Sequence, residues 1–311
     1  MRTRRSVLFV LALAVISMTA LSVSRAGQAA DKLRIFFVGN SLTDTISYKK
    51  FQTIVTAQGD QILWSRHTGP GATLDGLYKP DDKGVIYGIA EEPYGKSPDA
   101  LTKFEWDVVT LQPFDRPLVV NDNGVDSGDI INVNEFLKII AVKNKDAQVY
   151  LHGHWPRRFP WDQTVETAKP FDYSEHWTKP YSGGWESFKD NSFETRDFYE
   201  KLRDEVNKTS PLSKPVLIIP AGEVIYEIDQ AARAGNIKGL KDANDLYTDG
   251  IHFGNKGAYL TAITFYSTIY KKPPTGISGK TYGFDDPEFE KLAQELVWKV
   301  VSTYPYAGIA K

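Results

Sequence analysis

Apolar positions along the chain follow two patterns. Short, almost continuous apolar runs at 33–38, 62–66, 107–111, 147–151 and 215–219 are too brief for helices and rich in β-favouring side chains, so they predict strands. Between them, apolar residues recur at helical spacing over 44–58, 134–142, 193–207, 224–234, 256–270 and 287–301, which predicts helices. Strands that lack polar alternation are buried on both faces, so the order predicts a parallel sheet covered on either side. The expected class is α/β, a three-layer α/β/α sandwich around a five-stranded parallel sheet.

Two stretches fall outside that pattern. The N-terminus carries Arg2, Arg4 and Arg5, then an apolar run over 7–21, then small residues including Ala26, Gly27 and Ala29. Charge, apolar core and small-residue end together predict a secretory signal peptide over 1–29, cleaved after Ala29. No later stretch approaches the roughly twenty apolar residues of a membrane helix, so a single domain over 30–311 is expected to be secreted or periplasmic. The second stretch runs from Trp155 to Tyr199. Four of the seven tryptophans lie there, and from 156 to 190 prolines and Gly183-Gly184 interrupt any period. It predicts an aromatic-rich loop insertion at about 155–190, beside the site.

Composition narrows the chemistry. The formal net charge of −2 becomes −6 once the four arginines of the first 29 residues are removed, so no basic field recruits nucleic acid or anionic lipid. With no cysteine in the chain, disulfides, thiolate nucleophiles, Cys-ligated zinc and a lipobox anchor are all excluded. Any nucleophile is oxygen or nitrogen.

In an open parallel sheet, ligands bind beyond the carboxyl ends of the strands, so the residues that follow each strand carry the most information. Ser41 follows the first strand in a turn that leads to the first helix, and a helix N-terminus there would present N–H groups to a developing oxyanion. Far downstream, Asp249 stands three residues before His252. One tight turn then brings the carboxylate to one imidazole nitrogen and leaves the other free to take a serine proton.

With these residues in view, the sequence resembles the SGNH hydrolase superfamily, the GDSL-like esterases. The resemblance rests on Gly39-Asn40-Ser41-Leu42-Thr43, on Gly69-Pro70-Gly71-Ala72-Thr73-Leu74, and on Asp249-Gly250-Ile251-His252-Phe253 followed by Gly257-Ala258-Tyr259-Leu260. It implies a flavodoxin-like strand order, a Ser41, His252 and Asp249 triad, and no cofactor. It also implies an oxyanion hole from the N–H groups of Ser41 and Gly71 together with a third-block side chain. The chain departs from the family there: in place of Gly-x-Asn-Asp it has Leu111-Gln112-Pro113, which makes Gln112 the expected third donor or the mark of a degenerate site.

The remaining candidates concern substrate. His152 and His154 share one face of a strand by spacing, but apart from His176 no third ligand is at hand, so no metal is expected. One of the pair is expected to border the pocket. Arg157 and Arg158 suit a carboxylate or sulfate, and Trp155, Trp161, Trp177 and Trp185 suit the flat faces of sugar rings. Glu223, after the fifth strand, is a pocket or capping residue. The expected function is a secreted serine esterase that removes an O-acyl group, chiefly acetyl, from a carbohydrate. A lipase or thioesterase on longer chains, and a degenerate glycan-binding protein, are the alternatives. Oligomeric state is left open.

Overall fold

The computed structural model describes residues 32–160, 163 and 167–309. The expected signal peptide and Trp161 lie outside these residues. In chain order the elements are β1 (Leu33–Gly39), α1 (Ser41–Asp44), α2 (Tyr48–Ala57), β2 (Ile62–Thr68), β3 (Ile89–Ala90), α3 (Ser97–Lys103), β4 (Val108–Leu111), β5 (Val120–Asp122), β6 (Val125–Ser127) and α4 (Asp129–Ala141). They continue as β7 (Gln148–His152), α5 (Tyr173–Trp177), α6 (Glu186–Lys189), α7 (Arg196–Asn207), β8 (Leu217–Ile219), α8 (Ala221–Arg233), α9 (Asn255–Tyr270) and α10 (Pro287–Thr303).

The main sheet has six strands, not five, in the order β3-β2-β1-β4-β7-β8. Five are parallel. The sixth, β3, is a two-residue antiparallel edge in which Ile89 pairs with Thr68 and Ala90 with His67. Its brevity and its Gly88 neighbour hid it from any periodicity. Counted along the chain, the parallel strands run 2-1-3-4-5, the flavodoxin-like order, and the order reverses between β1 and β4. Helices cover both faces: α2, α8, α9 and α10 pack together, as do α3, α4 and α7. Among the described residues, no helix is long and apolar enough to cross a membrane.

The expected helix over 44–58 starts late: α2 runs from Tyr48 to Ala57, while Asp44 closes the separate short helix α1. After α1, Ser47 turns to φ 52°, and the Ile46 carbonyl accepts the Tyr282 hydroxyl (2.6 Å) while the Ile46 side chain is wholly buried. Tertiary bonding thus takes a carbonyl that a continuous helix would use. The aromatic stretch is also more structured than expected, since it contains α5 and α6, with α5 packed on α8. Helix α9 is buried on nearly every side between Gly257 and Ile269, and its buried Thr261, Thr264 and Thr268 hydroxyls donate to carbonyls one turn back.

Candidate active site

Ser41 is the first residue of α1, directly beyond β1 at the point where strand order reverses. Asn40 caps the helix: its Oδ1 accepts the Leu42 N–H (2.9 Å). Beneath the turn lies Gln112, wholly buried at the end of β4. Its Oε1 accepts the N–H of Asn40 (3.1 Å), the N–H of Thr43 (3.0 Å) and the hydroxyl of Thr43 (2.5 Å). Its Nε2 donates to Asn40 Oδ1 (2.8 Å). Three donors facing one atom fix which end of the amide is oxygen. Gln112 therefore sits under the serine turn as its brace, its amide turned to Asn40 and Thr43 and not free as a third oxyanion donor. Gly39 completes the fit, because a Cβ there would lie 2.7 Å from Gln112 Oε1 and closer still to Thr43.

Across the site, Asp249 and His252 stand on a tight turn between Tyr247 and Phe253, which form an isolated antiparallel bridge. Asp249 Oδ1 accepts the N–H groups of Ile251 and His252, both at 2.7 Å. Its Oδ2 is 2.8 Å from His252 Nδ1, and His252 Nε2 is 2.9 Å from Ser41 Oγ. Burial acts to raise the Asp249 pKa, but the two N–H bonds and the His252 ring outweigh it and hold the carboxyl below its ordinary value. The arrangement can take a proton from Ser41 at Nε2 while the carboxylate keeps the Nδ1 proton in place. Among the described residues, the N–H groups of Ser41 and of Gly71, which has φ +61°, are engaged by no acceptor.

The expected sugar-binding residues fare differently from one another. Trp155 is wholly buried. It stacks on Phe253 with centroids 4.0 Å apart and donates from Nε1 to the Ile251 carbonyl (2.7 Å). It supports the histidine turn from beneath and forms no wall. The same segment adds an Arg158 N–H to Gly250 carbonyl bond (2.8 Å) and receives the Tyr247 hydroxyl at the Pro156 carbonyl (2.8 Å). Phe253 lies so close to α9 that a Cβ on Gly257 would meet its ring at 2.5 Å, which explains the glycine there. Trp177 is buried too, its Nε1 bonded to Glu223 (2.7 Å). Glu223 also takes both arms of Arg196 (2.7 and 2.8 Å), so it neither lines a pocket nor caps a helix.

His152 and His154 are core residues, with rings 5.8 Å apart. Burial pushes His152 well below the usual imidazole range, and no hydrogen-bond partner reaches either ring nitrogen. His154 lies between the carbonyls of Trp155 (2.7 Å) and Pro113 (3.1 Å); burial pushes it down to about 4. Neither borders the surface. His176 packs on Phe171 in α5. Among the described residues, no group of three His, Cys, Asp or Glu side chains is placed to hold a metal.

Arg157 and Trp185 do come together. With Asp115, Arg116, Phe188 and Lys189 they line an open groove of about 510 Å³. Arg157 is paired with Asp115 (2.6 Å), three residues past Gln112, and Trp185 is 44% exposed. Sequence reasoning missed Asn40 and Thr43 as partners of Gln112, although Asn directly before a helix is a recognised cap signal.

No family model matches the chain, and no curated protein matches it. The chain is similar in fold to a solved DUF4886 family protein from Bacteroides uniformis. The TM-score is 0.52, with 18% identity over 88% of this chain and 96% of that one. The periplasmic domain of a lipopolysaccharide acetyltransferase from Salmonella ser. Paratyphi A aligns at TM-score 0.39 and 11% identity, over 77% of this chain and 83% of that one.

Proposed function

We propose that the protein is an exported serine esterase of the SGNH type, acting on O-acyl esters of a carbohydrate, chiefly acetyl. The observation that supports this most is the unbroken path from Ser41 Oγ to His252 Nε2 (2.9 Å) and from His252 Nδ1 to Asp249 Oδ2 (2.8 Å). These residues lie 211 positions apart in the chain and meet at the carboxyl end of the sheet. Ser41 Oγ attacks the ester carbonyl carbon and its proton passes to His252 Nε2. The carbon–alkoxide bond then breaks, and the alkoxide leaves with that proton. Water, deprotonated by the same nitrogen, releases the acid and restores Ser41. The N–H groups of Ser41 and Gly71 hold the oxyanion, and Gln112 acts through the turn it braces. The groove with Trp185 and Phe188 beside Arg116 and Arg157 suits a sugar ring carrying an anionic group.

The test is hydrolysis of p-nitrophenyl acetate and of an acetylated oligosaccharide by residues 30–311, alongside Ser41→Ala. Turnover of both, lost in the variant with the fold retained, is expected. Turnover that survives in Ser41→Ala sinks the mechanism, and binding of the oligosaccharide without hydrolysis of any ester moves the protein to the glycan-binding class.

A further inference from the structure

Tyr87 is 50% exposed, yet it is held at several points. His67, buried at the end of β2, accepts the Ser97 N–H at Nδ1 (3.1 Å), so its Nε2 carries the proton and donates to the Tyr87 carbonyl (2.7 Å). The Tyr87 N–H donates to the Gly76 carbonyl (3.1 Å). The ring lies against Gly69, where a Cβ would meet it at 2.6 Å. Finally, the phenol hydroxyl donates to the Pro70 carbonyl (3.0 Å).

Strand register relates this residue to the nucleophile. Gly39 pairs with Thr68, and Thr68 with Ile89. Because β3 runs antiparallel, the residues that follow these pairs toward the carboxyl rim are Asn40, Gly69 and Gly88, and then Ser41, Pro70 and Tyr87, where β1 has given way to α1. At about 4.8 Å per strand, β3 lies on the order of 10 Å across the sheet from β1, whose end leads into Ser41, and the Gly69-Pro70-Gly71 loop follows β2, the strand between them. The two ends of that loop are tied elsewhere: the Gly69 N–H to the Gly39 carbonyl (3.2 Å), and the Ala72 carbonyl to Asn40 Nδ2 (3.2 Å). The Pro70–Gly71 peptide at its centre is held by Tyr87.

A trans peptide is planar, and its C=O and N–H point in opposite directions. Holding the Pro70 carbonyl toward Tyr87 therefore aims the Gly71 N–H the other way, away from Tyr87. We infer that Tyr87 is a positioning residue for the reaction proposed above, its hydroxyl locking the Pro70–Gly71 peptide so that the Gly71 N–H faces the oxyanion. The inference rests on the esterase reading. Without the hydroxyl the peptide is free to rotate, and glycine at position 71, already at positive φ, offers little resistance. The oxyanion then loses a donor for part of the time.

The test is Tyr87→Phe, which keeps the ring on Gly69 and removes one hydroxyl. The expected result is a kcat about tenfold lower with KM within twofold and the melting temperature almost unchanged. The ceiling is the roughly 10²- to 10³-fold cost of removing one oxyanion donor outright. Affinity for a boronic acid, which forms a tetrahedral adduct on serine, should fall in parallel with kcat. Gly69→Ala, whose Cβ displaces the ring, should lower kcat with Tyr87 intact. Unchanged kcat and boronate affinity in Tyr87→Phe overturn the inference, and so does a rise in KM alone, which would make Tyr87 a substrate contact. A wild-type protein that hydrolyses no ester fails the esterase reading itself and removes the clamp with it; an active wild type with an unaffected variant fails only the clamp.

Discussion

The serine turn and the histidine turn are both hydrogen-bonded but differ in where those bonds lie: inside the core for one, at the water-facing surface over an aromatic base for the other. Around Ser41, order comes from buried hydrogen bonds: Gln112, Asn40 and Thr43 are all wholly buried, and every polar atom of the Gln112 amide is engaged within the turn. Around His252, the polar groups are open to water, with the His252 and Asp249 side chains 42% and 51% exposed, and order comes from packing of Trp155, Phe253 and Gly257 below. A serine that must lie on a fixed axis gains from bonds that strengthen in a low dielectric. An imidazole that changes charge, as the proposed mechanism asks of His252, gains from solvent, provided that its ring is oriented by Asp249. The two halves should therefore fail differently when altered.

The largest effect is expected from Asp249→Asn. Asparagine Oδ1 can still accept the Ile251 and His252 N–H groups, so the turn keeps its shape. Its amide group would face Nδ1 and reverse the imidazole tautomer. Hydrolysis should fall about 10³- to 10⁴-fold, with a melting temperature close to wild type; a large loss of stability would mean that the turn, not the tautomer, was the casualty.

Gln112→Leu should do the reverse. It strands the Asn40 and Thr43 N–H groups in the core at about 1–3 kcal/mol each, or about 2–6 kcal/mol in total. Thermal unfolding should then come on the order of 10 °C earlier. An unchanged melting temperature would contradict the bracing role.

A smaller effect separates brace from wall at Trp155. Trp155→Phe keeps a ring on Phe253 but loses the bond to the Ile251 carbonyl, at a cost of about 1–2 kcal/mol. We expect kcat to fall several-fold at constant KM for any substrate. A rise in KM confined to oligosaccharides would instead place Trp155 in the sugar site.

The smallest effect is one of pH. The folded pKa of Asp249 is lowered, so its contribution to stability is complete above the unfolded carboxylate value and is lost as pH falls through the folded one. The small difference in melting temperature between wild type and Asp249→Asn near neutrality should shrink further in acid. A difference that grows in acid would reverse the sign of that linkage.

What could be read from the sequence followed the same division. The five parallel strands and most helices were legible because burial on both faces leaves an apolar record. The candidate triad was legible because Asp249 and His252 are local in sequence and Ser41 follows a strand. Residues whose work is to support others were misread. Trp155 and Trp177 looked like a sugar wall, since composition does not say which side of an aromatic faces solvent. Gln112 reads as an oxyanion donor, since nothing in a single chain shows that its partners Asn40 and Thr43 lie 72 and 69 residues away. The edge strand β3 and the breaks at Ser47 and within the aromatic stretch depend on tertiary bonds that leave no period.

The most direct test is to label the protein with a p-nitrophenyl alkylphosphonate, which transfers its phosphonyl group to an activated serine, and to map the modified peptide by mass spectrometry. We predict one phosphonyl group per chain, on Ser41, with p-nitrophenol released in equal amount and no label on Ser41→Ala. Unmodified Ser41 in a protein that still hydrolyses p-nitrophenyl acetate would contradict its role as the nucleophile.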